Sequence, residues 1–189
     1  YGFMFESRML KRDFFGTAEE KEENLIVNEA EEFVVMMKRE IGGNKVLFTV
    51  ETDGIISNTK VSTLDGLRHA KLIELKLLQA TADINNELWW CQSKIAGINE
   101  IYFGRYNNEK EVNSVFMYSV EGNDMRALKI DENTKKECFG KLENFLRYVK
   151  DEMERFKEQQ VVCFSFTDKY NIEEGIFENF IPGEYINFM

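Results

Sequence analysis

One segment near the middle of the chain, residues 71–78 (KLIELKLL), constrains the fold more than any other. After Lys71 the residues of this segment are apolar except for Glu74 and Lys76, and a short run of this kind is typical of a buried β-strand. Side chains two positions apart on a strand point to the same face. We therefore expect one carboxylate and one ammonium group to project side by side from an otherwise apolar strand.

Two more acids, Glu51 and Asp53, end a second predicted strand over residues 45–53 (KVLFTVETD). If the two strands are neighbours, three carboxylates and Lys76 meet on one patch. Clustered carboxylates repel one another unless a cation lies between them, and hard oxygen ligands select Mg²⁺ or Mn²⁺. Two such ions about 3.5–4 Å apart form the usual clamp for phosphoryl displacement. The alternative is that Glu74 and Lys76 form an ordinary surface ion pair on an edge strand.

The remaining pattern predicts a mixture of helices and strands. Helices are predicted over residues 1–10, 24–41, 80–95 and 135–159, the second of them ended by Gly42-Gly43. Further strands are predicted over residues 98–106, 112–120 and 161–167, the first two joined by a polar turn. We expect an α/β or α+β fold, with a mixed β-sheet flanked by helices, in a single domain spanning residues 1–189.

The net charge of −10 argues against proteins that bind long nucleic acids, because those are usually basic. It is compatible with an enzyme that takes only the end of a strand into a metal-filled pocket. No apolar run approaches the ~20 residues of a membrane span, and the first residues lack a signal-peptide pattern. Three widely spaced cysteines indicate free thiols in a reducing compartment. We expect an intracellular protein, nuclear, cytoplasmic or both, with no membrane association.

Other common chemistries lack their residues. His69 is the sole histidine, so a Ser-His-Asp triad or a His-based metal site lacks parts. No two cysteines have zinc-finger spacing, and residues 41–45 (IGGNK) lack the spacing of a phosphate-binding loop.

Four short motifs occur in an order that is informative: GFMFE at residues 2–6, ETD at 51–53, ELK at 74–76 and WWCQS at 89–93. This order and spacing resemble the DXO/Dom3Z decapping exoribonucleases, and the likeness runs from residue 1 to about residue 107. The resemblance implies a PD-(D/E)xK nuclease-like core and Mg²⁺- or Mn²⁺-dependent attack on RNA 5′ ends. Activities of the family include removal of incomplete caps, NAD caps and 5′ triphosphates, and 5′–3′ trimming of 5′-monophosphate RNA.

The resemblance also implies a set of site residues. The implied metal ligands are Glu6, Glu51, Asp53, Glu74 and the main-chain carbonyl of Leu75. The implied catalytic residues are Glu6, Asp53, Glu74, Lys76 and Gln92. The alternatives are that Glu6 is a solvated helix residue and Gln92 a surface amide, and that Trp89-Trp90 pack a helix onto the sheet rather than stack on bases.

Several positions depart from the family pattern. Val50 and Leu77 stand where the family has a glycine and a small polar residue. The family's Gly-aromatic-Arg pattern reads Gly104-Arg105-Tyr106 here. A shift by one residue turns a strand side chain to the other face, which puts the role of Arg105 as a substrate contact in doubt. The family's N-terminal region, with an arginine motif, has no counterpart in this sequence, and we expect either a fragment or a divergent member with a more open site. A catalytically weakened member that binds and stabilises an exoribonuclease is therefore a second hypothesis, and a DNA nuclease of the same superfamily is a third.

Overall fold

The computed structural model describes residues 2–10, 33–58, 61–122, 125–156, 162–166 and 170–174. They belong to two units, one of residues 1–39 with 47–134 and the other of residues 40–46 with 135–189. No helix in these described ranges is long and apolar enough to cross a membrane.

The first described elements are a short helix and a β-hairpin. Helix α1 (Gly2–Met9) confirms the helix predicted at residues 1–10. The hairpin consists of β1 (Val34–Ile41) and β2 (Asn44–Glu51). β2 confirms the strand predicted over residues 45–53 as far as Glu51, and Thr52 and Asp53 lie beyond its end.

Strand β1 corrects the prediction of a helix over residues 24–41, which is wrong for residues 34–41; residues 24–32 lie outside the described residues. Apolar residues four positions apart, such as Met37 and Ile41, share a face on a helix and on a strand alike. Gly42 and Gly43 have φ angles of +56° and +78°, as a two-residue type I′ turn requires. The glycine pair that was expected to stop a helix closes the hairpin instead.

A four-stranded mixed sheet lies at the centre of the first unit. Its strands lie in the order β3 (Gly54–Ile56), β4 (Lys71–Gln79), β5 (Glu100–Tyr106) and β6 (Val112–Ser119). β4 and β5 run parallel, and the two outer pairs are antiparallel. The strand predicted at residues 71–78 and the strand pair predicted at 98–120 are confirmed. Short β3 and helix α2 (Leu64–His69) were not predicted.

Helix α3 (Asn86–Ala96) connects the parallel strands β4 and β5. The helix begins at Asn86, whereas the sequence predicted a start at residue 80. The Asn85 side chain accepts a hydrogen bond from the Leu88 amide at 3.0 Å and so caps the helix at this point. The Trp89 ring centroid lies 5.6 Å from that of Phe103 on β5, and Trp90 is buried as well. The tryptophan pair therefore packs the helix onto the sheet, as one of the two sequence interpretations held.

The two helices lie on opposite faces of the sheet. Phe5 of α1 packs against Ile73 and Leu75 of β4. Lys76 is paired in register with Phe103, so it shares the other face, on which α3 packs. A mixed sheet flanked by helices is the fold class expected from the sequence.

The second unit contains most of helix α4 (Glu132–Met153) and the antiparallel strands β7 (Val162–Phe166) and β8 (Tyr170–Glu174). The Tyr148 and Phe164 rings meet edge to face, with centroids 6.1 Å apart. The helix predicted at 135–159 is confirmed as far as Met153, and the strand predicted at 161–167 is confirmed over its described residues.

Candidate active site

The site begins where β3 stops pairing with β4. β3 pairs only with residues 71–73, so from Glu74 onward this edge of β4 has no strand neighbour among the described residues. Asp53, directly before β3, occupies the gap: its Oδ2 accepts a hydrogen bond from the Leu75 amide at 2.6 Å. Because the amide and carbonyl of one strand residue point to the same edge, the Leu75 carbonyl faces this edge too.

A cavity of about 730 Å³ opens at this edge. Every residue predicted from the sequence as a metal ligand or catalytic group lines it, namely Glu6, Glu51, Asp53, Glu74, Leu75, Lys76 and Gln92. The fold thus brings together residues from α1, β2, β4, α3 and the β2–β3 connection, and the roles assigned to them stay predictions.

Helix α1 directs Glu6 toward the cavity because its neighbour Phe5 is anchored in the sheet. Phe5 is buried against Ile73 and Leu75. It also lies directly over Gly104 of β5, where an added Cβ would stand only 2.7 Å from the Phe5 ring. The glycine therefore allows the helix to approach the sheet closely enough for Glu6 to reach the other acids.

The acids of the cavity carry more negative charge than the protein neutralises. Burial raises the pKa of Asp53 to about 6, and the charge of Glu74 adds to the shift although the Leu75 amide and Lys76 oppose it. Burial, with the charges of Asp53 and Glu51, also raises the pKa of Glu6. A cation placed among these carboxylates would offset the repulsion that adds to the effect of burial on both pKa values.

Lys76 supplies a positive charge on the cavity wall and forms an ion pair with Glu74. The two side chains are two positions apart on β4 and share a face, as the sequence predicts. Glu74 and Lys76 therefore form the ion pair that the alternative interpretation expected. The pair lines the acidic cavity, however, and not the surface of an edge strand.

The residues of the cavity fit a hard divalent cation by their chemistry, because they are carboxylate and carbonyl oxygens with excess negative charge. As the side chains stand, no three His, Cys, Asp or Glu residues in the described part of the chain are close enough to hold one ion together. The carboxylates surround the cavity rather than meet at a point. A cation would therefore be bound after side-chain rotations that draw them inward.

Arg105, predicted as a substrate contact, does not line the cavity. Its guanidinium donates to the carbonyls of Gln79, Ala80 and Ala82 at 3.2, 2.9 and 2.8 Å, and so holds the chain segment that follows β4. The guanidinium of Arg105 is therefore bonded to main-chain carbonyls outside the cavity wall.

Tyr106 lines the cavity in place of Arg105, and Phe48 of β2 lines it as well. Sequence reasoning missed both aromatic residues. Strand alternation gave no signal for Tyr106, because Arg105, two residues after Phe103, is the residue that shares the face of Lys76. The Lys110 ammonium lies 5.2 Å from the centre of the Tyr106 ring.

A family model described as RAI1-like PD-(D/E)XK nuclease matches residues 1–186. No curated protein sequence matches the chain.

Three solved structures illustrate the likeness. The Rai1 structure of S. pombe has 18% identity and a TM-score of 0.62, over 93% of this chain and 56% of that one. Candida albicans Rai1 in complex with pU5 and Mn²⁺ has 17% identity and a TM-score of 0.53, over 80% and 43% of the chains. Scheffersomyces stipitis Rai1 in complex with (3′-NADP)⁺ and calcium has 21% identity and a TM-score of 0.55, over 78% and 41%. The chain spans about half the length of these structures, and the likeness shows a shared fold.

Proposed function

This chain belongs to the RAI1-like PD-(D/E)XK nuclease family, and from that premise we propose that it is a divalent-metal-dependent hydrolase of RNA 5′ ends. The observation that carries the proposal is the grouping of Glu6, Glu51, Asp53, Glu74 and Lys76 around one cavity at the open edge of β4. The proposed reactions are removal of incomplete, NAD or triphosphate caps, and 5′–3′ trimming of 5′-monophosphate RNA.

We propose that Glu51, Asp53, Glu74 and the Leu75 carbonyl hold Mg²⁺ or Mn²⁺, two ions in the complete site, and that Glu6 binds metal or a metal-bound water. Bound ions of this kind polarise the phosphoryl oxygen and lower the pKa of water. The position of Asp53 supports this assignment, because it lines the cavity with Glu51 and Glu74. Its raised pKa shows that burial and the neighbouring acids disfavour its charged form there.

Lys76 and Gln92 are the proposed contacts of the scissile phosphate or the attacking water. Lys76 is oriented by its ion pair with Glu74, and Gln92 faces the same cavity from α3. The ammonium would offset charge that develops on the phosphate, and the amide would donate a hydrogen bond to it.

A strand end, rather than a long polymer, is the proposed substrate. The net charge of −10 disfavours binding along a polyanion, whereas a cavity of about 730 Å³ is large enough for a terminal nucleotide. The complexes of the yeast Rai1 proteins with pU5 and with (3′-NADP)⁺ support this choice of substrate class.

The test is a panel of RNAs with different 5′ ends, incubated with the purified chain and Mn²⁺. We expect product release from at least one RNA, and loss of that release in Asp53→Asn. Asp65→Asn is the matched control, because the Asp65 side chain is 80% exposed on α2. Failure of the wild-type chain to act on any RNA of the panel, or full activity of Asp53→Asn, would contradict the proposal.

A second candidate is a weakened family member that binds and stabilises a 5′–3′ exoribonuclease. The observation that favours it is Arg105, whose guanidinium is occupied by three main-chain carbonyls and does not line the cavity. Tight Mn²⁺ binding without any hydrolysis in the same panel is the result that this candidate predicts. For either function we propose an intracellular location, nuclear, cytoplasmic or both.

A further inference from the structure

The residue between the two acids of the Glu51-Thr52-Asp53 segment is itself buried, with only 2% of its surface exposed. The Thr52 hydroxyl lies 3.1 Å from the Ile73 carbonyl of β4 and 3.3 Å from the Gly54 carbonyl. A hydroxyl has one proton to donate, and the buried bond to Ile73 is the shorter of the two. The Thr52 side chain therefore ties this segment to β4 one residue before Glu74.

The following residue binds β4 on the other side of Glu74. Asp53 accepts the Leu75 amide at 2.6 Å. Residues 52 and 53 lie between β2 and β3, outside both strands. Two side-chain hydrogen bonds thus connect residues 52 and 53 to β4, although neither residue belongs to a strand.

The main chain of Thr52 is fixed from a third direction. Its amide donates to the Phe33 carbonyl, next to the first residue of β1, at 3.0 Å. Thr52 is therefore held between the hairpin and the sheet, and Glu51 and Asp53 on either side of it line the cavity. Its own side chain is not part of the cavity wall, so it acts only through its neighbours.

We propose that Thr52 is a positioning residue, whose hydroxyl sets the spacing of Glu51 and Asp53 relative to Glu74. The inference rests on the proposed function, because this spacing matters for a cation shared by the three carboxylates. The Thr52 hydroxyl bonds main-chain carbonyls and acts on the proposed ligands through the chain that connects them. Loss of an outer-shell partner that bonds a ligand directly typically costs about 10–100-fold in metal affinity, and we expect the lower end of that range here.

Two substitutions separate the hydroxyl from the shape of the side chain. Thr52→Val keeps the shape and removes the donor, whereas Thr52→Ser keeps the donor and removes a methyl group. In calorimetric titration of the full chain with Mn²⁺, we expect Thr52→Val to bind at least about tenfold more weakly than wild type. Thr52→Ser should stay within about threefold of wild type, well below the loss typical of an outer-shell partner.

Ser93→Ala is the matched control for removing a buried hydroxyl. The Ser93 hydroxyl is buried in the same unit and has no hydrogen-bond partner among the described residues, so its removal should leave Mn²⁺ affinity unchanged. If Thr52→Val does not fold, Thr52→Ala compared with Thr52→Ser isolates the same oxygen atom and should show the same tenfold difference.

Wild-type Mn²⁺ affinity in folded Thr52→Val, or an equal loss in Thr52→Ser, overturns the inference, since the hydroxyl would then have no separate effect. Hydrogen exchange of the Leu75 amide, which donates to Asp53, tests the positioning of Asp53 in metal-free protein. Faster exchange in Thr52→Val than in Thr52→Ser supports the positioning role, and equal exchange overturns it. Absence of Mn²⁺ binding by the wild-type chain contradicts the proposed function instead, and leaves the exchange result to decide the role of Thr52.

Discussion

The carboxylates beside the two ends of strand β4 have pKa values that are shifted in opposite directions. At the beginning of β4, Glu100 of the neighbouring strand accepts two hydrogen bonds. Lys71 donates to one carboxylate oxygen at 2.5 Å, and the Tyr102 hydroxyl donates to the other at 3.0 Å. The hydrogen bond from Lys71 lowers the pKa of Glu100. From Glu74 onward, burial and neighbouring acids raise the pKa of Asp53 to about 6. Lys71 thus favours the charged form of the first carboxylate, whereas burial and the neighbouring acids disfavour the charged form of the second.

The largest expected difference between the two ends is in activity. Glu74→Gln removes one carboxylate of the proposed cation site and also the ion pair of Lys76. We expect it to lower Mn²⁺-dependent turnover of a 5′-modified RNA by at least about a hundredfold, since losing even an outer-shell partner can cost that much. Glu100→Gln, the same substitution at the other end of β4, should retain wild-type turnover. Equal loss in both variants would mean that the fold, not the cavity, limits activity.

Some of the contacts behind the difference between the two ends of β4 could be predicted from the sequence, and others could not. Glu74 and Lys76 were expected on one face of one strand, because strand alternation depends only on sequence spacing. The approach of Asp53 to the Leu75 amide depends on β3, a strand of only three residues that no local pattern indicates. Sequence reasoning therefore identified the acids but not the open strand edge where they meet.

The sequence also could not decide between a helix and a strand where the local pattern fitted both equally well. The segment over residues 34–41 has apolar spacing that suits a helix and a strand, and Gly42-Gly43 can end either one. Pairing with β2 decides between them, and pairing is a contact between separate parts of the chain. Thr52 was overlooked for a related reason: its hydroxyl matters only once β4 lies beside it.

A smaller and more specific effect is expected in the pH dependence of stability without metal. The folded pKa of Asp53, about 6, exceeds the ordinary value of 3.8. Between these values the folded state binds more protons than the unfolded state, so this group lowers stability as pH rises through the window. Asp53→Asn cannot ionise and escapes this loss. In urea unfolding with a chelator, the variant should therefore gain stability relative to wild type from about pH 4 to pH 6.

Glu100 provides the control of opposite sign for this measurement. Its lowered folded pKa gives stability that is present above the unfolded pKa and is lost as pH falls through the folded one. Glu100→Gln should therefore be less stable than wild type near neutral pH, and the gap should close in acid. Parallel pH curves for wild type and Asp53→Asn would show that Asp53 is not an uncompensated charge.

The smallest effect is expected for Lys71→Met. This change removes the ammonium group that pairs with Glu100 at the beginning of β4. The Lys71 side chain is 47% exposed, and solvent and salt screen ion pairs of this kind. Glu100 keeps the Tyr102 hydroxyl as a donor after the change. We expect the Mn²⁺ affinity to match that of wild type within replicate error. The thermal unfolding midpoint at neutral pH should fall no further than in Glu100→Gln, since both changes break the same ion pair. A clear loss of Mn²⁺ affinity in Lys71→Met would mean that the charges of the two ends act on each other along β4, because Lys71 lies outside the cavity wall.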